Sequence, residues 1–253
     1  MKQANFFNDC EMNDLEYSDA KIMDDRTFCQ IYKSQIKTKN KFIFTFCLKD
    51  DYNSFEIKLC LFLFWLSLNC TIEALFFNDS TMHKIYVDKG KYNFIYQLGK
   101  IIFSILISNV ITIVVEYFSL YEDNIARITK DRDKPIVQIK KEINQLTSSL
   151  KIKFAFFFGV MILFILLFWY FLSSFCAVFK NSQIPLIINI LIGYDISLLL
   201  PFFIVLITGS LRFYGLKRAQ NEDNKDSGKC FYILSKAHDI IEGLLDIIHD
   251  CLC

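Results

Sequence analysis

The longest uncharged stretch of this chain runs from Phe154 to Phe179 and is followed by Lys180. At about 1.5 Å per helical residue, it extends roughly 39 Å, which exceeds the hydrocarbon core of a bilayer at about 30 Å. A soluble domain seldom buries a helix that is apolar on every side, which makes a core helix of a soluble protein the weaker alternative. The stretch therefore predicts a membrane-spanning helix.

Three further apolar segments have the length of a membrane span. They are Leu59–Phe77, Ile101–Phe118 and a fourth that runs from about Ile184 to Leu211. Pro201 is expected to break the fourth span, which transmembrane helices tolerate when neighbouring groups satisfy the freed backbone. The predicted fold class is all-α: an integral membrane protein with four transmembrane helices and amphipathic cytosolic helices.

The distribution of lysine and arginine predicts the orientation of the spans. Nine such residues precede the first span, eight lie between the second and third, and six follow the fourth, whereas the two remaining connections hold four and one. Because positive residues accumulate on the cytosolic side, both termini are predicted to be cytosolic. The acidic N-terminus lacks the apolar segment of a cleavable signal peptide, so we expect the first span to direct insertion.

The spans divide the chain into five segments. These are a polar cytosolic segment (1–57), the first two spans (58–120), a cytosolic helical linker (121–153), a hairpin of the last two spans (154–211) and a cytosolic tail (212–253). Within the first segment, the apolar run Phe42–Phe46 is too short to span a bilayer. It is expected to form a strand, an interfacial anchor flanked by lysines, or a plain surface segment.

Two segments outside the spans carry apolar residues at the alternating three- and four-residue spacing of an amphipathic helix. The first, Ile136–Leu150, follows Pro135, which suits the first turn of a helix, and the second is Leu234–Cys251 in the tail. An apolar stripe of this kind needs a partner helix. The stripes predict packing against the chain's own cytosolic parts, or a homo- or hetero-oligomer, in addition to contact of the spans with the lipid bilayer.

Three acidic residues fall within the predicted spans. Glu73 lies near the outer end of the first, Glu116 near the inner end of the second, and Asp195 about a third of the way into the fourth. Ionisable residues in membranes are costly and mark ion paths or proton relays. Glu73 and Glu116 can also reach headgroup water, and Asp195 can be a hydrogen-bonded structural group. No basic residue lies within a span, so Asp195 leads the candidates for an ion path.

No motif of enzyme chemistry occurs in the sequence. There is no Gly-rich phosphate loop, G-x-S-x-G or H-E-x-x-H. The three histidines are far apart, and the nine cysteines include no C-x-x-C and no zinc spacing. The sequence therefore predicts a non-enzymatic protein without catalytic, cofactor or metal residues. Its net charge of +1 argues against a nucleic-acid partner.

The C-terminal Cys251-Leu252-Cys253 resembles a lipid-attachment site. It does not fit the prenylation motif, because Asp250 rather than cysteine is fourth from the end. Cytosolic cysteines on an amphipathic helix near a membrane suit palmitoylation, and ordinary free thiols are the alternative.

Two stretches resemble a four-span module that ends large multi-pass membrane proteins of ciliates and related protists. The first comprises ALFFNDSTMHKIY and GKYNFIYQLGKIIFSILIS (74–86 and 90–108), and the second is WYFLSSFCAVFKNSQIPLIINILIGYDISLLLPF (169–202). This resemblance implies an architecture and no particular activity. Ala74–Phe77 and Phe175–Pro201 are also similar to the early spans of polycystin-1-type proteins. The β-sandwich lipid-binding domain and later pore spans of that family have no counterpart here, so this similarity implies an accessory part.

These observations predict a non-enzymatic subunit, sensor or accessory module of a larger membrane assembly. The alternative is an ion channel or transporter in which Asp195 lies in a polar intramembrane path. A water-accessible Asp195 is expected of a transport protein, and association with partners or with itself is expected of an assembly component.

Overall fold

The computed structural model describes residues 9–48, 53–89, 91–119, 136–219 and 225–236, and for residues 9–10, 117–118, 136–150, 219 and 225–227 only the backbone. In these ranges every regular element is helical and no strand occurs, so the all-α prediction is confirmed for this part of the chain. The elements are α1 (Asp9–Asp14), α2 (Tyr17–Met23), α3 (Phe28–Lys39), α4 (Lys41–Phe46), α5 (Phe55–Leu75), α6 (Asp79–Val87), α7 (Phe94–Ser119), α8 (Ile136–Val178), a 3-10 turn (Lys180–Ser182), α9 (Gln183–Ala219) and α10 (Lys225–Ser235).

The helices belong to two compact units. The terminal unit comprises Met1–Asp51 and Leu198–Cys253, and the central unit comprises Tyr52–Ser197. Helix α9 contributes its first part to the central unit and the remainder to the terminal unit. Each unit is described separately below.

In the central unit, α5 packs against both α7 and α8. Ser54 caps α5, because its hydroxyl accepts a hydrogen bond from the Ile57 N–H at 3.4 Å. Apolar side chains of α5 and α8 form a shared core of Phe64, Leu68, Ile72 and Met161. Close packing of these side chains holds α8 against α5.

Buried hydroxyl groups on α5 and α7 are mostly satisfied by their own helix. Ser67 and Thr71 donate to carbonyl oxygens one turn earlier, each at 2.8 Å. Ser108 and Thr112 do the same on α7, at 2.8 and 2.7 Å. This pairing lets small polar residues occupy an apolar environment without an unsatisfied donor.

In the terminal unit, short capped helices pack beside the second part of α9. Thr27 and Gln30 form a reciprocal capping box at the start of α3. Asn40 caps α4 through its side-chain oxygen and donates its amide nitrogen to the Leu198 carbonyl oxygen at 2.8 Å. The strand alternative for Phe42–Phe46 is therefore wrong, because the Asn40 cap starts a helix there.

Four helices are long and apolar enough, by length and composition, to cross a membrane: Phe55–Leu75, Phe94–Glu116, Lys151–Val178 and Lys180–Arg218. The prediction of four such helices is confirmed. In an apolar 18-residue segment of each helix, 56% of the residues are buried in the first helix, whereas 6% and 11% are buried in the third and fourth. These segments of the last two helices therefore place most of their residues outside the protein core, which marks a surface for lipid or for another protein.

Two predicted boundaries differ in the structure. The fourth span is not broken, because α9 continues through Pro201. A proline removes one backbone hydrogen bond, and the remaining turns of a long helix can hold it together. The linker stripe and the third span are one helix, Ile136–Val178. The connecting residues Lys151–Lys153 contain no glycine or proline that would end a helix.

Candidate functional site

The three acidic residues noted in the sequence lie in different environments. Glu73 is only 2% exposed, Glu116 is half-buried and Asp195 is exposed. Asp195 lies on the exposed side of α9, whereas Gly193, two residues earlier, faces Glu73. Glu116 lies about 18 Å along α7 from Ser104, which also faces Glu73. The structure therefore singles out Glu73 rather than Asp195.

Both oxygens of the Glu73 carboxyl group are shielded from solvent and lack a hydrogen-bond partner among the described residues. Most buried polar atoms in proteins have at least one such partner. An ionised carboxylate without a compensating charge costs several kcal/mol to bury. Glu73 is thus the least satisfied ionisable group in the part of the chain that the structure describes.

Three neighbours complete what we call the Glu73 site: Ser104 of α7 and Asn189 and Gly193 of α9. A Cβ atom at Gly193 would lie 3.5 Å from Glu73 Oε1, so the α9 backbone approaches the carboxyl group directly. Ser104 and Asn189 are fully buried and near enough to interact with Glu73, although neither makes a hydrogen bond of good geometry with it. The Ser104 hydroxyl oxygen and the Asn189 amide nitrogen are themselves unpartnered.

Tyr92 lies in the connection between α6 and α7 and contacts the Glu73 site through Asn189. Its hydroxyl group donates a hydrogen bond to Asn189 Oδ1 at 2.6 Å. With the carbonyl oxygen of Asn189 occupied in this way, its amide nitrogen remains available as a donor. Burial raises the pKa of Tyr92, so Tyr92 stays a protonated donor at neutral pH.

A small surface pocket lies beside Tyr92. Gln97 of α7 lines the pocket, is buried, and has an unpartnered side-chain oxygen. It stands two helical turns from Ser104 on the same face of α7, since seven residues complete nearly two turns. Tyr92, which lines the pocket and donates to Asn189, therefore connects the surface pocket with the Glu73 site.

Charged side chains of both signs line the pocket: Lys84, Asp88 and Lys91. The ammonium groups of Lys84 and Lys100 lie 3.7 and 4.3 Å from the centre of the Tyr96 ring. Lys100 also donates a hydrogen bond to the hydroxyl oxygen of Thr81, which is fully buried. These contacts hold the two ammonium groups at Tyr96 and Thr81, beside the pocket.

The Glu73 site offers one carboxyl group and two neutral donors. No group of three His, Cys, Asp or Glu side chains that could hold a metal occurs in residues whose structure is described. A carboxyl group in this setting can take up and release a proton. The expectation of a non-enzymatic protein stays a prediction.

A second polar cluster lies in the terminal unit, around the buried guanidinium group of Arg212 on α9. Arg212 Nη2 lies 3.0 Å from Asp24 Oδ2, and both side chains are almost fully buried. The same guanidinium donates to the backbone carbonyl oxygens of Met12 and Asn13. We call this cluster the Arg212 clasp, because it joins α9 to the segments around α1 and α2.

Two further side chains complete the Arg212 clasp. Arg26 Nε lies 2.8 Å from Asp24 Oδ1, so Asp24 is paired with two guanidinium groups. Burial acts to raise the pKa of Asp24, but its hydrogen bonds and charge attraction with Arg26 and Arg212 outweigh burial and lower it. Tyr232 of α10 donates to the Leu15 carbonyl oxygen at 2.6 Å, and burial raises the pKa of Tyr232 to about 12.

Several sequence predictions fall on residues without a full description. Cys251 and Cys253 lie outside the described residues, so their palmitoylation stays a prediction. The stripe Leu234–Cys251 is described only at its start, within α10 and the residue after it. For Ile136–Leu150 the backbone is helical, but its side chains lie outside the description, and its pairing stays a prediction.

Sequence reasoning missed most members of both clusters. Tyr92, Ser104 and Asn189 are single polar residues without a recognisable spacing, since they come from separate helices and a connection. One usable signal was present: Asn189 is an amide within a predicted span, where polar side chains usually face the protein interior. Arg212 directly follows the fourth predicted span, where a basic residue is expected at the membrane surface, but in the structure it is buried.

Comparison of this chain with family models, with curated proteins and with solved structures gives no match. The resemblance to the protist four-span module and to polycystin-1-type proteins therefore stays a prediction. Functional inference rests on the geometry of the Glu73 site, the Arg212 clasp and the exposed apolar helices.

Proposed function

We propose that this chain is an integral membrane protein with four transmembrane helices and cytosolic termini, and that it serves as a non-enzymatic subunit or sensor module of a larger membrane assembly. The observation that carries this proposal is the exposure of the third and fourth apolar helices, in each of which an apolar 18-residue segment is only 6% and 11% buried, respectively. In water such a surface would drive aggregation, whereas lipid or a partner helix can cover it.

The exposed side chains of α8 include aromatic residues as well as aliphatic ones. Phe156, Trp169 and Tyr170 are all at least half exposed, and Leu166 lies on the same exposed helix. Aromatic side chains are enriched in the cores of protein interfaces and at the membrane–water boundary. This composition supports a helix that meets another protein within the bilayer.

A photoreactive phenylalanine analogue at position 170 tests this proposal. Tyr170 is exposed on α8, and Tyr86 is equally exposed on α6 but lies outside the candidate spans. We expect illumination of native membranes to give a protein adduct, with a second copy or another chain, from position 170 and none from position 86. Adducts with lipid alone at position 170 would contradict the subunit role.

The second candidate function is an ion channel or transporter, and the buried Glu73 favours it. In this form of the hypothesis Glu73 replaces Asp195 as the leading residue, because Asp195 is exposed and Glu73 is enclosed by three helices. Proton or cation flux through liposomes that contain this chain alone, lost in Glu73→Gln and kept in Asp195→Asn, would establish autonomous transport. We expect no such flux if the chain acts only within an assembly.

A further inference from the structure

We propose that Glu73 is a proton-binding residue that exchanges its proton with the surface through the pocket beside Tyr92. This inference rests on the proposed membrane insertion, and it specifies what the sensor module would detect. In the proposed orientation the connection between the first two spans faces away from the cytosol. The protein would therefore report the proton concentration on that side of the membrane.

The first step of the argument is the neutral state of the site. Glu73 is 2% exposed, and neither carboxyl oxygen has a hydrogen-bond partner among the described residues. Among the residues that the structure describes, no cationic side chain is paired with the Glu73 carboxyl group, and the ammonium group of Lys100 donates to Thr81. A buried carboxyl group in this position is stabilised by taking up a proton, which removes the uncompensated charge.

The second step is that the site can also accommodate the ionised state. The Ser104 hydroxyl group and the Asn189 amide nitrogen face the carboxyl group and have no other partner. Both are donors that small side-chain rotations can direct at a carboxylate. Two unused donors beside an unpaired acid suit a residue that alternates between protonated and ionised forms, rather than one that stays neutral.

The third step separates a proton from a metal cation. Calcium takes six to eight oxygen ligands and magnesium needs a near-octahedral set. The described neighbours offer the two oxygens of Glu73 and the hydroxyl oxygen of Ser104. The Asn189 oxygen is already bound to the Tyr92 hydroxyl group, and its amide group presents hydrogens to the site. These three oxygen atoms are too few to coordinate calcium or magnesium. A proton, in contrast, binds to a single carboxyl oxygen.

The fourth step is the identity of the group that titrates. Cys70 lies one turn earlier on α5, Tyr92 reaches the site from the connection before α7, and Cys176 of α8 packs against the core that includes Ala74. On α9, Tyr194 lies against the Trp65 ring, and Asp195 is on the exposed side. Thiol and phenol groups are neutral near pH 7. Glu73 is therefore the enclosed group whose charge would change.

Infrared difference spectroscopy of the full chain in lipid nanodiscs tests the proposal. Raising the pH should remove the C=O band of a protonated carboxyl group in the wild-type protein. We expect this band to be lost in Glu73→Gln and retained in Glu56→Gln, which makes the same change at an exposed position on the same helix. A band that survives Glu73→Gln, or that is absent from the wild-type protein at acidic pH, would overturn the proposal.

A second variant keeps the test decisive if Glu73→Gln fails to fold. Asn189→Ala removes a donor that stabilises the ionised carboxylate more than the protonated carboxyl group, so the pH midpoint of the band should rise by about one unit. A midpoint that stays unchanged or falls would contradict the proposed site. Loss of the band on addition of sodium at constant pH would show a metal cation in place of the proton.

Failure of this inference is distinguishable from failure of the proposed function. Protein that is released from membranes by alkaline extraction is not an integral membrane protein, and both proposals would then fall. Protein that resists extraction but shows no titrating carboxyl band would remain an integral membrane protein, and only proton binding at Glu73 would be excluded.

Discussion

Replacing Arg212 by methionine is expected to destabilise the terminal unit by about 3 kcal/mol, because it removes one member of a buried ion-pair network. Asp24 would lose a partner at 3.0 Å and keep only Arg26. Two backbone carbonyl oxygens, of Met12 and Asn13, would lose their donor. The free energy of unfolding in detergent micelles measures the loss, and amide hydrogen exchange in α2 locates it.

Lys217→Met is the matched control for Arg212→Met. Lys217 lies on the same helix and is exposed, and its ammonium group lies 4.7 Å from the centre of the Phe213 ring. Its replacement should change the free energy of unfolding by less than about 1 kcal/mol. If both substitutions lowered the free energy of unfolding equally, the Arg212 clasp would not be what stabilises the terminal unit.

The Arg212 clasp also predicts how stability depends on pH. The pKa of Asp24 is lowered in the folded protein. The contribution of ionised Asp24 to the free energy of unfolding is therefore complete above its pKa in the unfolded chain, which is about 3.9. That contribution is lost as the pH falls through the lowered, folded value. In Arg212→Met the pKa of Asp24 should rise, so the acid-induced loss should begin at a higher pH than in the wild-type protein.

Replacing Gly215 by alanine is expected to displace α10 from α9. A Cβ atom at Gly215 would lie 2.9 Å from the Gly228 carbonyl oxygen and 3.0 Å from the Tyr232 backbone nitrogen. Both are backbone atoms, which cannot rotate away as a side chain can, so the two helices must separate. Overpacking of this kind costs about 1–3 kcal/mol. Faster hydrogen exchange in α10 and weaker burial of Tyr232 would show the displacement.

Gly209→Ala provides the control within the same helix. A Cβ atom there would lie 3.4 Å from the side-chain oxygen of Gln35 and 3.8 Å from the Phe28 ring, which is ordinary contact with side chains. Because alanine favours a helix over glycine by about 0.8–1 kcal/mol, this variant should be neutral or slightly more stable. If Gly209→Ala lowers stability as much as Gly215→Ala, close helix contact at Gly215 is not the cause.

The apolar helices were predictable because their length and composition are properties of continuous segments. Phe154–Phe179 needs no knowledge of its neighbours to be identified as a long apolar helix. The short helices of the first 48 residues were missed because they depend on local caps such as Thr27 and Asn40 and on packing against α9. Helix α6 was missed for the same reason, since Asn78 caps it and its sequence is otherwise mixed.

The Glu73 site was predictable only in part, because it is assembled from residues far apart in the chain. The sequence identified Glu73 as an acid in an apolar segment. It ranked Asp195 higher because position within a span was the only available criterion. Which side of each helix is enclosed depends on packing, and the structure places Gly193, rather than Asp195, against Glu73.

Labelling of single cysteines in sealed microsomes tests the central claim of four membrane crossings most directly. One variant retains only Cys230, and the other carries Ser80→Cys as its only cysteine; both positions are exposed in the structure. Three candidate spans separate them, so they should lie on opposite sides. We expect a membrane-impermeant maleimide to label Cys230 in intact microsomes and position 80 only after detergent is added. Labelling of both positions without detergent would contradict the four-span account.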